Sequence, residues 1–272
     1  MRQKHLLTGA LVAGILAAIS LLPPRGNIEF SFYKLSFRWP PSACNVGTLK
    51  CLPDTLGYFT IHGLWPTYAD DTEVPRYDPK KNKCTDVTPV DPKNLLPELK
   101  NIEDTLQKCW PNYKNYKNIN MCAESWKHEW VYHGICSDYA ADKPLEYFSA
   151  ALTFAKEYEY DPLKGTNVQP REEPYEAQEI INAVKAKVGK TPQIQCNKNG
   201  ETLQLLEIRL CFEKNKSSIT PRDCPKTFTP DGLCQKETDQ IKITPPPKVD
   251  LLGYKTCIEA MNEYESVLSN EL

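Results

Sequence analysis

The sequence predicts an α+β fold, with an antiparallel central sheet and packed helices stapled by disulfides into a single domain. Three observations carry this reading. Segments with the two-residue alternation of strands lie apart from segments with helical spacing, the order typical of α+β chains. The 272 residues hold no repeat and no long linker, so one substantial core is expected. The 11 cysteines, all between Cys44 and Cys257, exceed what a reduced cytosolic chain of this size carries.

The N-terminus sets the compartment. Arg2 and Lys4 precede an apolar run from Ala10 to Leu22 that ends at Pro23-Pro24, the layout of a secretory signal peptide. We read residues 1–26 as this leader, 27–244 as the folded domain and 245–272 as a proline-rich linker with a helical tail. The alternative for the leader is a retained membrane anchor. No later stretch reaches the roughly 20 apolar residues that span a bilayer, so no membrane contact is expected after cleavage. The expected location is the secretory pathway, ending outside the cell or in a vacuolar or lysosomal lumen. Asn215-Lys216-Ser217 is a sequon for a surface glycan on that route.

Along the chain, Tyr58, Thr60 and His62 alternate with Phe59, Ile61 and Gly63, a strand that presents His62 opposite an apolar face. The segment Lys127 to Ile135 lacks proline and follows Ser125, read as its cap, so it is predicted helical. Glu129 and His133 then share one helical face. Leu145, Phe148, Leu152 and Ala155 mark an amphipathic helix after Pro144, and Ala177, Ile181, Val184 and Val188 another after Pro174. Leu206, Ile208, Leu210 and Phe212 alternate with Glu207, Arg209 and Cys211, a strand with one buried face. Pro245-Pro246-Pro247 closes this region. Beyond it Cys257, Met261, Tyr264 and Leu268 recur at helical spacing, a tail that packs back on the domain or frays.

Cysteine spacing favours local pairs, Cys44 with Cys51 and Cys109 with Cys122, although spacing alone does not fix connectivity. An odd cysteine must remain. Cys257, beyond the proline run, is the one expected to be free or bridged to a disulfide-linked partner chain.

The formal net charge is −2 at pH 7, and loss of Arg2, Lys4 and Arg25 with the leader makes the mature chain more acidic. Such a protein is not a bulk polyanion binder. Attraction to a nucleic acid must come from a local site, and it grows at acidic pH as histidines charge and carboxylates neutralise.

Of the 4 histidines, His5 belongs to the leader. The others fall in Phe59-Thr-Ile-His62-Gly-Leu-Trp65-Pro66 and His128-Glu129-Trp-Val-Tyr132-His133-Gly134-Ile-Cys136. Imidazoles and a carboxylate held close together are equipment for acid–base chemistry at neutral or mildly acidic pH. These two segments, in this order, closely resemble the active-site motifs of the T2 family of secreted acid ribonucleases. The likeness runs from Arg38-Trp39-Pro40 through Cys109-Trp110-Pro111-Asn112 and Ser125-Trp126 into the cysteine-rich C-terminal third, and stops short of the tail after Pro247.

The resemblance implies cleavage of single-stranded RNA without a metal or other cofactor, through attack of the ribose 2′-hydroxyl and a 2′,3′-cyclic phosphate. It implies His133 as base and His62 as acid, Glu129 as their orienting or proton-moving carboxylate, and His128 as a phosphate ligand. The substrate-contacting set is Trp65, read as a stacking ring for a base, with Tyr132, Arg38 and Asn112. Three positions depart from the pattern. Tyr132 stands where the family has a lysine, Arg38 where it has a glutamine, and Ser125 where it has a phenylalanine. A phenol offers a neutral hydrogen bond where the lysine offers a full charge, an expected deficit of about 10²–10³ in rate unless another cation compensates, with Arg38 the named substitute. Base preference is open at positions 38 and 125.

The rival chemistry is a zinc hydrolase built on His128-Glu129, but that motif needs His-Glu-x-x-His and the spacing here is one residue longer. The rival from another class is a T2-type protein with impaired catalysis that serves in storage, defence or RNA binding. Trp39, Trp110, Trp126 and Trp130 are read as core or cleft-wall residues.

Overall fold

The computed structural model describes residues 29–47, 50–216, 218–247 and 257–263. Its centre is an antiparallel sheet of β1 (Phe32–Arg38), β2 (Thr60–Thr67), β4 (Gln193–Asn199) and β5 (Thr202–Glu213) in the order β2-β1-β5-β4, with the short β6 (Pro221–Arg222) beside β5. A two-stranded ribbon joins β3 (Tyr175–Glu176) to β7 (Gln240–Ile241). The helices are α1 (Pro40–Cys44), α2 (Leu95–Glu98), α3 (Glu103–Cys109), α4 (Ile119–Glu129), α5 (Pro144–Glu157) and α6 (Ala177–Val188). The expected α+β class with an antiparallel central sheet is the observed one.

The sheet has two unlike faces. Cross-strand partners share a face, so the registers Leu35↔Leu64, Leu35↔Leu210, Phe37↔Ile61 and Phe37↔Ile208 define an apolar side. α5 supplies part of its cover: Phe154 meets Phe212 edge-on at 4.8 Å and Tyr147 donates a hydrogen bond to Leu64 O. Phe148 and Leu152 on the same helix are fully buried, each contributing about 1.5–3 kcal/mol. Pro144 opens this helix, where its missing N–H costs nothing. A reciprocal Glu176–Glu179 capping box opens α6, and Gly189 ends it at φ 78°.

The opposite face is polar yet also buried. Lys34, Ser36, Glu207 and Gln193 are each no more than 2% exposed. Reading Glu207 and Arg209 as the outer side of a strand with one buried face therefore needs correction, since both faces of β5 are covered.

The second histidine-containing segment is helical, with two differences from expectation. α4 begins at Ile119 and is capped by Asn118, whose side chain accepts from the N–H groups of Asn120 and Met121. Ser125 is an interior residue that donates back to Met121 O. After Glu129 the helix widens into a π turn, Trp130–Gly134, closed by Ile135 N donating to Trp130 O. Such turns concentrate at functional sites.

Five disulfides join Cys44–Cys51, Cys84–Cys136, Cys109–Cys257, Cys196–Cys234 and Cys211–Cys224. The first is the expected pair. The expected Cys109–Cys122 pair is not formed, and Cys257 is not the odd cysteine. Residues 257–263 form a helix whose Cys257 and Met261 are buried, and Thr105 of α3 donates to Ala260 O, which brings Cys257 to Cys109. The free thiol is Cys122, fully buried. Cys257 is thus not available for a partner chain. The leader, Tyr264, Leu268 and Ser217 of the sequon lie outside the described residues.

Candidate active site

His62 reaches the polar face through an irregularity in β2. Ser36 pairs with Gly63 and the next residue, Phe37, pairs with Ile61, which leaves His62 as the extra residue of a β-bulge. A regular strand would put His62 on the side of Leu64, facing the apolar core. The bulge turns it to the side of Gly63 and Trp65. There His62 Nδ1 lies 2.7 Å from Glu207 Oε1, and Arg38 Nη2 lies 2.9 Å from both ring nitrogens. Trp110 donates to His62 O and holds the bulge from the loop side.

Glu207 anchors this face. It accepts from Ser36 Oγ, from Nε and Nη2 of Arg38, and from Nε and Nη2 of Arg209. Burial alone would raise its pKa. The charges of His62 and Arg38 prevail and hold it well below the usual carboxylate range, so it is ionised. Arg209 also donates to Gln193 and Gln195 and lies over the Trp65 ring at 4.7 Å.

The end of α4 supplies the remaining groups. Glu129, 4% exposed, sits between two imidazoles: Oε1 is 3.9 Å from His62 Nε2 and Oε2 is 3.9 Å from His133 Nε2. Trp65 Nε1 donates to Glu129 Oε2 at 3.1 Å. Gly63 makes room for this contact, since a Cβ there would lie 2.1 Å from Trp65 Nε1 and 2.2 Å from Glu129 Oε2. Burial raises the Glu129 pKa to about 8, so the group is a neutral carboxylic acid under acidic conditions. His133 is 7% exposed and its Nδ1 has no hydrogen-bond partner. Burial, reinforced by His62, keeps it well below the usual imidazole range and therefore neutral. Burial and the Arg38 charge likewise lower His62 to about 4.

His62, His128 and Glu129 line a cleft of about 300 Å³, together with Arg38, Trp110 and Tyr113. Three of the four expected catalytic positions thus line the cleft, and the fourth, His133, is outside its lining and joins the group through Glu129. His128 stacks on Tyr132 at 4.0 Å with an interplanar angle of 18°, and burial lowers its pKa.

The substrate-contacting set fares unevenly. Arg38 lines the cleft and packs over Tyr113. Asn112 also lines it, but its side chain fixes local structure by donating to Ser125 Oγ and accepting from the N–H groups of Lys114 and Asn115. Trp65 as a stacking platform needs correction. It is 3% exposed, and its faces and edge are occupied by His62, His133 and Arg209. Its indole N–H holds Glu129 instead. Tyr132 turns toward Arg76, whose Nη1 donates to the phenol at 3.0 Å. Trp39, Trp110, Trp126 and Trp130 are all buried, as expected.

Sequence reasoning missed Glu207, Arg209 and Gly63. The signal for the first two was charge alternating with apolar residues in a strand, which ordinarily marks a solvated face.

Among known proteins, the profile of the Ribonuclease T2 family matches residues 30–224. Extracellular ribonuclease LE of Solanum lycopersicum is 30% identical over 212 residues, covering 76% of this chain and 84% of its own length. Ribonuclease T2 of Sus scrofa is 29% identical over 216 residues, covering 77% and 94%. A crystal structure of RNase NT in complex with 5′-AMP superposes with a TM-score of 0.62 and 28% identity, covering 80% of this chain and 100% of that one. Human RNase T2 superposes with a TM-score of 0.59 and 25% identity over the same shares.

Proposed function

The chain belongs to the ribonuclease T2 family, and from that premise we propose that it is an endoribonuclease that cleaves single-stranded RNA by transphosphorylation. His133 removes the proton of the ribose 2′-hydroxyl, the oxygen attacks the adjacent phosphorus, and His62 donates a proton to the departing 5′-oxygen. The products are a 2′,3′-cyclic phosphate and a free 5′-hydroxyl. Ring opening by water runs with the two imidazoles exchanged.

The observation that carries this reading is the position of Glu129, equidistant at 3.9 Å from His62 and His133. One carboxyl group thereby spans the two imidazoles that the reaction needs in opposite protonation states. Burial favours the neutral base form of His133. A lowered pKa makes His62 a strong acid once protonated, which places the working range at acidic pH. Glu129, neutral there, has a proton to offer a phosphoryl oxygen, and His128 meets the phosphate at the cleft wall. The 5′-AMP complex of RNase NT supports a nucleotide ligand for this chain.

We place the protein in the secretory pathway. Five disulfides fit an oxidising compartment, and among the described residues no helix is long and apolar enough to cross a membrane.

The test is cleavage of single-stranded RNA by the purified protein from pH 4 to 8 in EDTA, with His62→Ala and His133→Ala as controls. Cleavage lost in both variants supports the assignment. Cleavage that persists in either variant, or none by folded wild type, refutes it.

A further inference from the structure

Four cations around the acid–base groups are already engaged. Arg38 and Arg209 donate to Glu207, Lys34 is paired with Asp71 at 2.8 Å, and Lys127 with Glu124 at 2.7 Å. A phosphodiester entering the cleft needs a cation with free donors. Arg76 has them. It is exposed, it makes no salt bridge among the described residues although Asp78 lies within reach of its charge, and its guanidinium makes a single hydrogen bond, from Nη1 to the Tyr132 hydroxyl.

Its location is fixed from two directions. Tyr77 N donates to Val131 O, and the Cys84–Cys136 disulfide ties the end of the same loop to the residues just after His133. The guanidinium lies over the Tyr132 ring at 5.4 Å, and that ring stacks on His128 at 4.0 Å. Arg76, Tyr132 and His128 are therefore in successive contact, from an exposed side chain to one that lines the cleft.

We propose that Arg76 binds a backbone phosphate of the RNA substrate, with Tyr132 as the bracket that holds its guanidinium and links it to His128. This rests on the ribonuclease reading above. A phenol has no charge to offer a phosphate, but it accepts one guanidinium hydrogen bond and leaves the other donors of an exposed side chain for a phosphate, which arginine takes bidentately. Tyr132 acts through Arg76 and is a positioning residue.

The experiment compares wild type, Arg76→Ala, Tyr132→Phe and the double variant in full-length protein. The readouts are kcat/KM on single-stranded RNA against salt concentration and binding of the all-2′-deoxy oligonucleotide of the same sequence, which has no attacking hydroxyl. Arg76→Ala is expected to lower kcat/KM about 10–100-fold, the loss of one charge-assisted contact. It is also expected to flatten the slope of log(kcat/KM) against log salt by about 0.7, one phosphate contact on a single strand. Tyr132→Phe is expected to lose less, and the double variant to be no worse than Arg76→Ala, because the two act as a unit. Unchanged cleavage, binding and salt slope in Arg76→Ala would overturn the proposal while the ribonuclease reading stands. Weakened deoxyoligonucleotide binding in Arg76→Ala, with no RNA cleavage by wild type, would uphold the phosphate contact and remove the ribonuclease reading.

Discussion

Glu207 Oε1 lies 2.7 Å from His62 Nδ1, so a buried carboxylate on β5 decides which imidazole nitrogen is left to face the cleft. With Nδ1 directed at Glu207, Nε2 points toward Glu129 and is the nitrogen that the proposed mechanism uses to exchange a proton with substrate. The register Arg38↔Glu207 between β1 and β5 puts a cation beside the same pair.

Glu207→Gln keeps a hydrogen-bond acceptor and removes the charge. The carboxylate favours the imidazolium, so its loss lowers the His62 pKa further. The proposed mechanism requires protonated His62, so the alkaline limb of kcat/KM is expected to move to lower pH, at about tenfold in rate per pKa unit at a fixed pH above it. Circular dichroism checks that the variant folds, since Arg38 and Arg209 lose their shared partner. An unmoved alkaline limb would show that Glu207 is structural only.

Glu129 carries a cost that appears in stability. Its pKa rises on folding from 4.5 to about 8, so the folded state binds a proton that the unfolded state has released between those values. The stability of wild type relative to Glu129→Gln therefore declines as pH rises from 4.5 to 8, by at most a few kcal/mol. Urea unfolding of both proteins at pH 5 and pH 8 measures this difference. A difference that is the same at both pH values contradicts the buried, neutral Glu129.

The cysteine arrangement makes its own prediction. Denatured, unreduced protein should show one reactive thiol, located on the peptide that contains Cys122, and native protein none, because Cys122 is fully buried. Converting Cys109 and Cys257 to serine should cost about 2–5 kcal/mol, as for other native disulfides. Alkylation of Cys257 without prior reduction would contradict the pairing.

Much of this was legible in the sequence, and the gaps have physical causes. α5 and α6 follow their apolar spacing because each buries one stripe and exposes the other. β1 alternates Tyr33, Leu35 and Phe37 with Lys34, Ser36 and Arg38, and what this pattern does not reveal is that Lys34 and Ser36 are buried too, because β1 is the central strand between β2 and β5. The two histidine motifs bring His62 and His133 to either side of Glu129, with His128 at the cleft wall. Glu207 and Arg209 escaped notice because charge in a strand usually means solvent, and here it means an ion network beneath a cleft. Trp65 was misread for a related reason: its closeness to His62 in sequence does not reveal that its ring is enclosed and its N–H spent on Glu129. The bulge at His62 depends on pairing with β1, which is not a local property of the motif.

The most direct test of the central claim is identification of the first product from a dinucleoside monophosphate in EDTA at acidic pH. The account predicts a nucleoside 2′,3′-cyclic phosphate and a nucleoside with a free 5′-hydroxyl, formed by wild type and not by His133→Ala. A terminal phosphate formed without the cyclic intermediate, or equal product from His133→Ala, would contradict it.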